Sequence, residues 1–173
     1  MTLATFRTTP KGLAKYDAKF VVEMKAAIHK ANLKAAKKSL PLIRKATILA
    51  PPASDNGRVG AVDTRRLLRA WNVLVEGGVV RIVNPTKYAV YVENGRQANS
   101  RPPPSSALVG WVGRKLGIYG KKAQGVAFVI ARAIGARGLR PRNIVKGSLA
   151  EIREIHARET EIAVDAMLKK LRP

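Results

Sequence analysis

A net charge of +22, from 33 lysines and arginines against 11 aspartates and glutamates, limits this 173-residue chain more than any other feature. So much like charge cannot be turned inward, because desolvating an unpaired charge outweighs what apolar burial contributes. It must face solvent, an acidic partner or a polyanion, and its self-repulsion opposes a lone compact monomer. Apolar residues still make up 46% of the sequence, enough for an ordinary core. A wholly disordered basic protein is therefore excluded, and the length suits one domain.

The charge is uneven. Residues 1–50 hold 11 basic and 2 acidic side chains, residues 101–150 hold 10 and none, and residues 151–173 hold 5 of each. The last stretch reads as a helix that packs on protein. Nucleic acid is the obvious polyanion for the rest. No long apolar run and no signal-peptide pattern at Met1 is present, so no membrane partner is expected. Cysteine is absent, which removes disulfides and thiol chemistry and argues against structural zinc. His29 and His156 lack the neighbours of a metal site or triad and read as surface or helix-packing residues. The acids fall singly or in the balanced last helix, without the clusters a hydrolase or nuclease needs. No enzyme activity and no cofactor is expected.

Residues 1–16 read as an extended arm, with Asp17 capping a long helix. Phe20, Met24, Ile28, Ala31, Ala35, Leu42, Ala46 and Leu49 make its apolar face. Lys19, Lys30, Lys34, Lys37 and Lys38 lie off that face or on its border. Pro41 predicts a kink or break near Leu40. Thr64 is the candidate cap of a short helix carrying Leu67, Leu68 and Trp71. Val73 and Val75, then Val80 and Ile82, alternate across Gly77-Gly78, a hairpin signal. Residues 86–94 suit either a short helix or a strand, and the resemblance given below favours the helix.

Residues 95–106 carry Arg96 and Arg101 and three consecutive prolines without an apolar anchor. They predict an exposed loop, mobile until docked on a neighbour. Ser105 or Ser106 would cap the next helix, with Leu108, Trp111, Val112 and Leu116 on its face. Gly117 to Gly120 is a break. A further helix carries Val126, Ile130 and Ile134 and stops at Gly138. Ser148 with Glu151 predicts a capping box opening the last helix. The fold class is α+β: one domain over 17–173, a small antiparallel sheet packed by long N- and C-terminal helices and a middle helix pair.

In this order the segments resemble the neck and tail-completion, or head–tail joining, proteins of long-tailed bacteriophages. The first helix ends in an Ala-Pro step, here Ala50-Pro51. A "TG-x-L" segment is matched by Asp63-Thr64-Arg65-Arg66-Leu67, running into Trp71. Asn84 precedes a "YA-x-x-VE-x-G" signature, here Tyr88-Ala89, Val92-Glu93 and Gly95. A helix with a central tryptophan follows, matched by Leu108 and Trp111, then an alanine-rich helix ending in "G-x-x-P" at Gly138 and Pro141. The likeness spans about residues 12–168. It departs at Arg65, where the family has glycine, and at Asn143-Ile144, where an aromatic is missing.

The resemblance implies a structural virion protein in a homo-oligomeric ring, hexameric, with a dodecamer as the alternative. Its partners would be the adjacent connector or head-closure ring and the tail-tube or terminator ring, with genomic DNA in the channel. Tyr88, Ala89, Val92 and Gly95 would pack the signature on the sheet, and Trp71 and Trp111 would anchor the core. Glu93 is open between a solvated glutamate and a carboxylate paired with a nearby arginine, within one subunit or across a ring interface. The interface or lumen candidates are Lys30, Lys34, Lys37 and Lys38, with Arg96 and Arg101 in the loop. A second basic group comprises Arg132, Arg137, Arg140, Arg142 and Lys146. DNA contact would be through phosphates and independent of sequence. A ribosomal or nucleoid-like basic protein is the alternative that composition alone allows.

Overall fold

The computed structural model describes residues 2–6, 17–54 and 59–170. In chain order these form β1 (Thr2–Phe6), α1 (Ala18–Leu49), α2 (Arg66–Arg69), β2 (Asn72–Glu76) and β3 (Val79–Val83). Then come α3 (Ala89–Asn94), α4 (Ser106–Leu116), α5 (Gly120–Arg137) and α6 (Ile144–Lys169). The α+β expectation holds, with the long helices at the two ends of the chain.

Asp17 does cap α1, its carboxylate accepting from the Lys19 backbone N–H at 3.2 Å. The helix runs unbroken through Pro41, correcting the expected break. Proline removes one ladder hydrogen bond, but Ala35, Ala36 and Ser39 before it and Ile43 and Thr47 after it are buried. Packing on both sides holds the two halves as one element. Beyond Pro41 the buried face differs from expectation: it follows Ser39, Ile43 and Thr47, while Leu49 is exposed. An apolar-only pattern misses this, because two hydroxyl residues lie in the core. Their hydroxyls are satisfied locally, Ser39 Oγ by Ala35 O at 2.8 Å and Thr47 Oγ1 by Ile43 O at 2.7 Å. Thr47 Oγ1 in turn accepts from Trp71 Nε1 at 2.9 Å. Trp71 is thus the core anchor it was expected to be, only 2% exposed.

The sheet order is β1-β3-β2, all antiparallel. Gly77 and Gly78 have φ of 55° and 75°, the paired left-handed residues that let a tight turn match strand twist. Val73 pairs with Ile82 and Val75 with Val80, as the alternation requires. The expected arm is corrected over residues 2–6, which form an edge strand with Phe6 opposite Val80. Residues 7–16 lie outside the described residues. Thr64 does not cap α2; Arg65, left-handed at φ 58°, precedes it without a side-chain cap.

The main core joins α1, α6, the sheet and Trp71. The helices α4 and α5 form a separate small core around Val112, Ala123 and Ala127, flanked by Leu108, Trp111 and Ile130. The buried ridge of α5 is Ala123, Ala127, Ala131 and Gly135, one position from the valine and isoleucines expected to lead. Small residues win the contact because they let α4 approach closely.

His156 of α6 is a packing histidine. Its Nε2 lies 2.9 Å from Asn32 Oδ1, and its ring sits 5.4 Å from that of Phe6. Burial lowers its pKa below the ordinary 6.5. The neutral form is therefore preferred in the folded state, and the unfolded chain binds more protons just below pH 6.5. Stability should fall as pH drops below about 6.5, and His156→Gln should flatten that slope. Urea midpoints of both proteins between neutral and mildly acidic pH check this; equal slopes would refute it.

Candidate functional site

The signature from Tyr88 to Gly95 turns out to be a clasp for the start of α6. That helix opens at Ile144, earlier than the Ser148 box suggested. Ser148 lies inside it, with Oγ donating to Ile144 O at 2.8 Å. The first turn has no acid, Asn143 offers no side-chain cap, and Lys146 adds a positive charge. A helix N-terminus already carries unsatisfied N–H groups and a positive dipole end. Glu93 supplies what is missing. Its carboxylate accepts from Val145 N at 3.1 and 3.2 Å and from Lys146 N at 3.0 Å. Glu93 is 7% exposed, which corrects the solvated reading; its partners lie within the subunit, but they are backbone amides and not an arginine. Its spacing to residue 145 hid this cap.

The rest of the signature serves the same junction. Ala89 is buried in the main core and Val92 packs against it. Val92 O accepts from Arg142 N at 3.0 Å and Glu93 O from Asn143 N at 3.1 Å. Gly95 has φ 71°, and a Cβ there would lie 2.7 Å from Pro141 N. Only glycine fits that close approach. Next to it, Arg96 and Leu139 exchange both backbone hydrogen bonds at 2.9 Å. Tyr88 departs from the expected packing role: it is 41% exposed and lines a cleft.

The loop 95–106 is exposed at most side chains, yet it is anchored, contrary to expectation. Asn99 N and Ser100 N donate to Ala136 O and Gly135 O, at 3.1 and 2.9 Å. These are carbonyls at the end of α5 that the helix itself cannot satisfy. Gly135 leaves room for Pro102 against the helix. Arg96 donates to Arg101 O and stacks its guanidinium 4.9 Å from the Tyr91 ring. Arg96 is thus structural, whereas the Arg101 side chain is exposed. Backbone anchors of this kind leave no apolar signal.

The first basic group divides. Lys34 and Lys38 both reach Glu159 of α6, Lys34 at 2.9 Å. Glu159 is 3% exposed, and hydrogen bonds from Lys38 first and Lys34 second hold its carboxyl below the ordinary range. These lysines tie α1 to α6 while their side chains stay more than half exposed. Lys30 and Lys37 remain exposed.

The second group also divides. Arg132, Arg137, Arg140 and Lys146 are exposed, with Arg132 lying 5.9 Å from the Phe128 ring. Arg142 is only half-exposed; it donates to Gly60 O at 2.5 Å, and burial lowers its pKa. Asp63, not singled out from the sequence, holds α4 to the body. Arg114 donates to its Oδ2 from Nε at 3.1 Å, and Lys115 lies 3.2 Å from Oδ1. The hydrogen bond from Arg114 chiefly keeps the Asp63 carboxyl below its ordinary pKa.

Between the α4–α5 pair and the body lies a cleft of about 820 Å³. Its floor includes Leu67, Leu108, Trp111, Ile130, Ile134 and Leu139. Trp111 is half-buried there, between its small core and the cleft. Among the described residues no group of three His, Asp or Glu side chains could hold a metal ion. Among them no helix is long and apolar enough to cross a membrane.

The clasp has a direct consequence. Glu93→Gln, which keeps the shape but removes the charge and one acceptor, should destabilise the fold by about 2–3 kcal/mol. Glu93→Lys, placing a cation against a helix N-terminus, should cost more. Urea unfolding of the purified variants checks both. Unchanged midpoints would show that the carboxylate is not a cap. No family model, curated protein or solved structure matches the chain.

Proposed function

We propose that this chain is a structural ring subunit in the neck of a long-tailed bacteriophage particle, where the tail joins the head around the path of the genome. The supporting observation is the disposition of charge. After Lys34, Lys38, Arg114 and Lys115 have paired within the chain, the exposed cations still far outnumber the acids. Lys30 and Lys37 remain exposed on α1, and Arg132, Arg137, Arg140 and Lys146 around the α5–α6 junction. A lone subunit so charged calls for an anionic environment.

The ordered set of segments shared with the neck and tail-completion proteins points to which environment. A genome channel needs cations that meet phosphates without reading bases. Ring subunits also make heterologous contacts, with two different faces each. Large apolar side chains stand exposed away from the main core, Tyr119 at 73% and Val129 at 65%. They suit contacts with neighbours in a closed ring. In this reading the protein is neither an enzyme nor a cofactor carrier, and it resides in the virion. The ring is hexameric, with a dodecamer as the alternative. It touches a connector or head-closure ring on one side and a tail-tube or terminator ring on the other.

The second basic group is assigned to the lumen and the exposed lysines of α1 to docking. Arg132→Glu with Arg137→Glu should leave rings intact and impair genome retention. Lys30→Glu with Lys37→Glu should yield heads and tails that fail to join. DNA association should weaken steeply with salt, as counterion release requires. Particle counts by electron microscopy and a neck reconstruction check these outcomes. A reconstruction with both groups on the outer wall would overturn the reading. So would a purified chain that binds DNA tightly as a monomer and joins no neck ring.

A further inference from the structure

We propose that the cleft between the α4–α5 pair and the body is a docking site for an acidic peptide segment bearing apolar anchors, supplied by a different protein. This goes beyond the ring reading and stands without it, since it rests on the cleft alone.

The cleft combines two surfaces that call for opposite chemistries. Its floor is aliphatic and aromatic, with Leu108, Trp111 and Ile130 only partly covered by their own small core and Ile134 beside them. Its walls carry Arg66 and Arg140, beside Arg96, Arg114 and Arg142, which already bond to Arg101 O, Asp63 and Gly60 O. The acid among the lining residues is Asp63, and Arg114 and Lys115 already hold it. Arg96 adds a buried Nε with no hydrogen-bond partner among the described residues. An apolar side chain would exclude water from Trp111, and carboxylates beside it would meet the arginines. About 820 Å³ is room for a few side chains of an extended segment.

Other occupants fit less well. Another copy of this chain would bring a segment from a molecule of net charge +22, with repulsion from the arginine walls. Its charge-balanced stretch is largely α6, which is packed on α1. Duplex DNA is too wide to enter. Single-strand binding uses successive exposed aromatic faces on which bases stack; here Trp111 is half-buried and Arg96 already covers a face of Tyr91, which leaves Tyr88 as the open ring.

Tryptophan emission from the full-length chain tests the proposal. Trp71 is buried and bonded to Thr47, so a change on binding reports Trp111. The probes are a short peptide alternating glutamate and leucine, an oligoglutamate of equal charge, and oligothymidylate. The glutamate–leucine peptide should give a saturable shift to shorter wavelength, lost in Trp111→Phe. Arg66→Glu should weaken that binding severalfold, with melting unchanged. Tyr88→Glu, at an exposed wall position, should weaken it independently. Equal binding of oligoglutamate with no emission shift would reduce the cleft to general charge attraction and overturn the proposal. A shift reached at lower concentration with oligothymidylate would assign the cleft to nucleic acid and overturn it equally. Absence of any saturable shift would also refute it.

Discussion

The helix α6 cannot start itself, and the middle of the fold is arranged around that fact. Its opening turn offers no acid and no side-chain cap, and it carries Lys146. Glu93 reaches across from α3 to close it. A buried carboxylate is tolerable only where donors and positive potential meet it, and a helix N-terminus supplies both. Once that contact exists, Val92, Gly95 and Arg96 can run alongside residues 139–143 and exchange backbone hydrogen bonds with them. The loop 95–106 returns from this junction to the end of α5, where Asn99 N and Ser100 N donate to Ala136 O and Gly135 O. Four signature positions, Ala89, Val92, Glu93 and Gly95, are parts of one internal junction.

Charge is handled by a similar division. The chain places a few of its scarce acids where they neutralise cations that structure requires. Glu159 collects Lys34 and Lys38 at the α1–α6 seam, and Asp63 collects Arg114 and Lys115 between α4 and the body. Exposed pairs contribute little stability each, but Glu159 is covered and hydrogen-bonded, so its loss would be felt across the seam. The remaining exposed cations form the outward field on which the functional proposal draws.

Much of the fold could be read locally. The hairpin at Gly77-Gly78, the Asp17 cap and the stop at Gly138 all rest on nearest-neighbour chemistry. What was not legible depended on distance along the chain. The strand β1 pairs with β3 from the far end of the sequence, and its five residues carry no pattern that announces a partner. The Glu93 cap spans 52 residues to Val145, beyond any local box, so Ser148 with Glu151 appeared the better start. The loop 95–106 lacks apolar anchors, and its actual anchors are backbone amides. Ser39 and Thr47 broke the apolar periodicity of α1 because their hydroxyls bond back to the helix and behave as core. The basic side chains were all identifiable as charges; which were already paired could not be read without the fold.

The clasp is tested most directly at the two amides it claims. Nuclear magnetic resonance of the folded chain can follow hydrogen exchange at Val145 and Lys146 individually. If the Glu93 carboxylate accepts from both, these first-turn amides should be protected much as that of Ile152 in the middle of α6. Exchange at the fast rate of an uncapped helix end, with Ile152 still protected, would contradict the account.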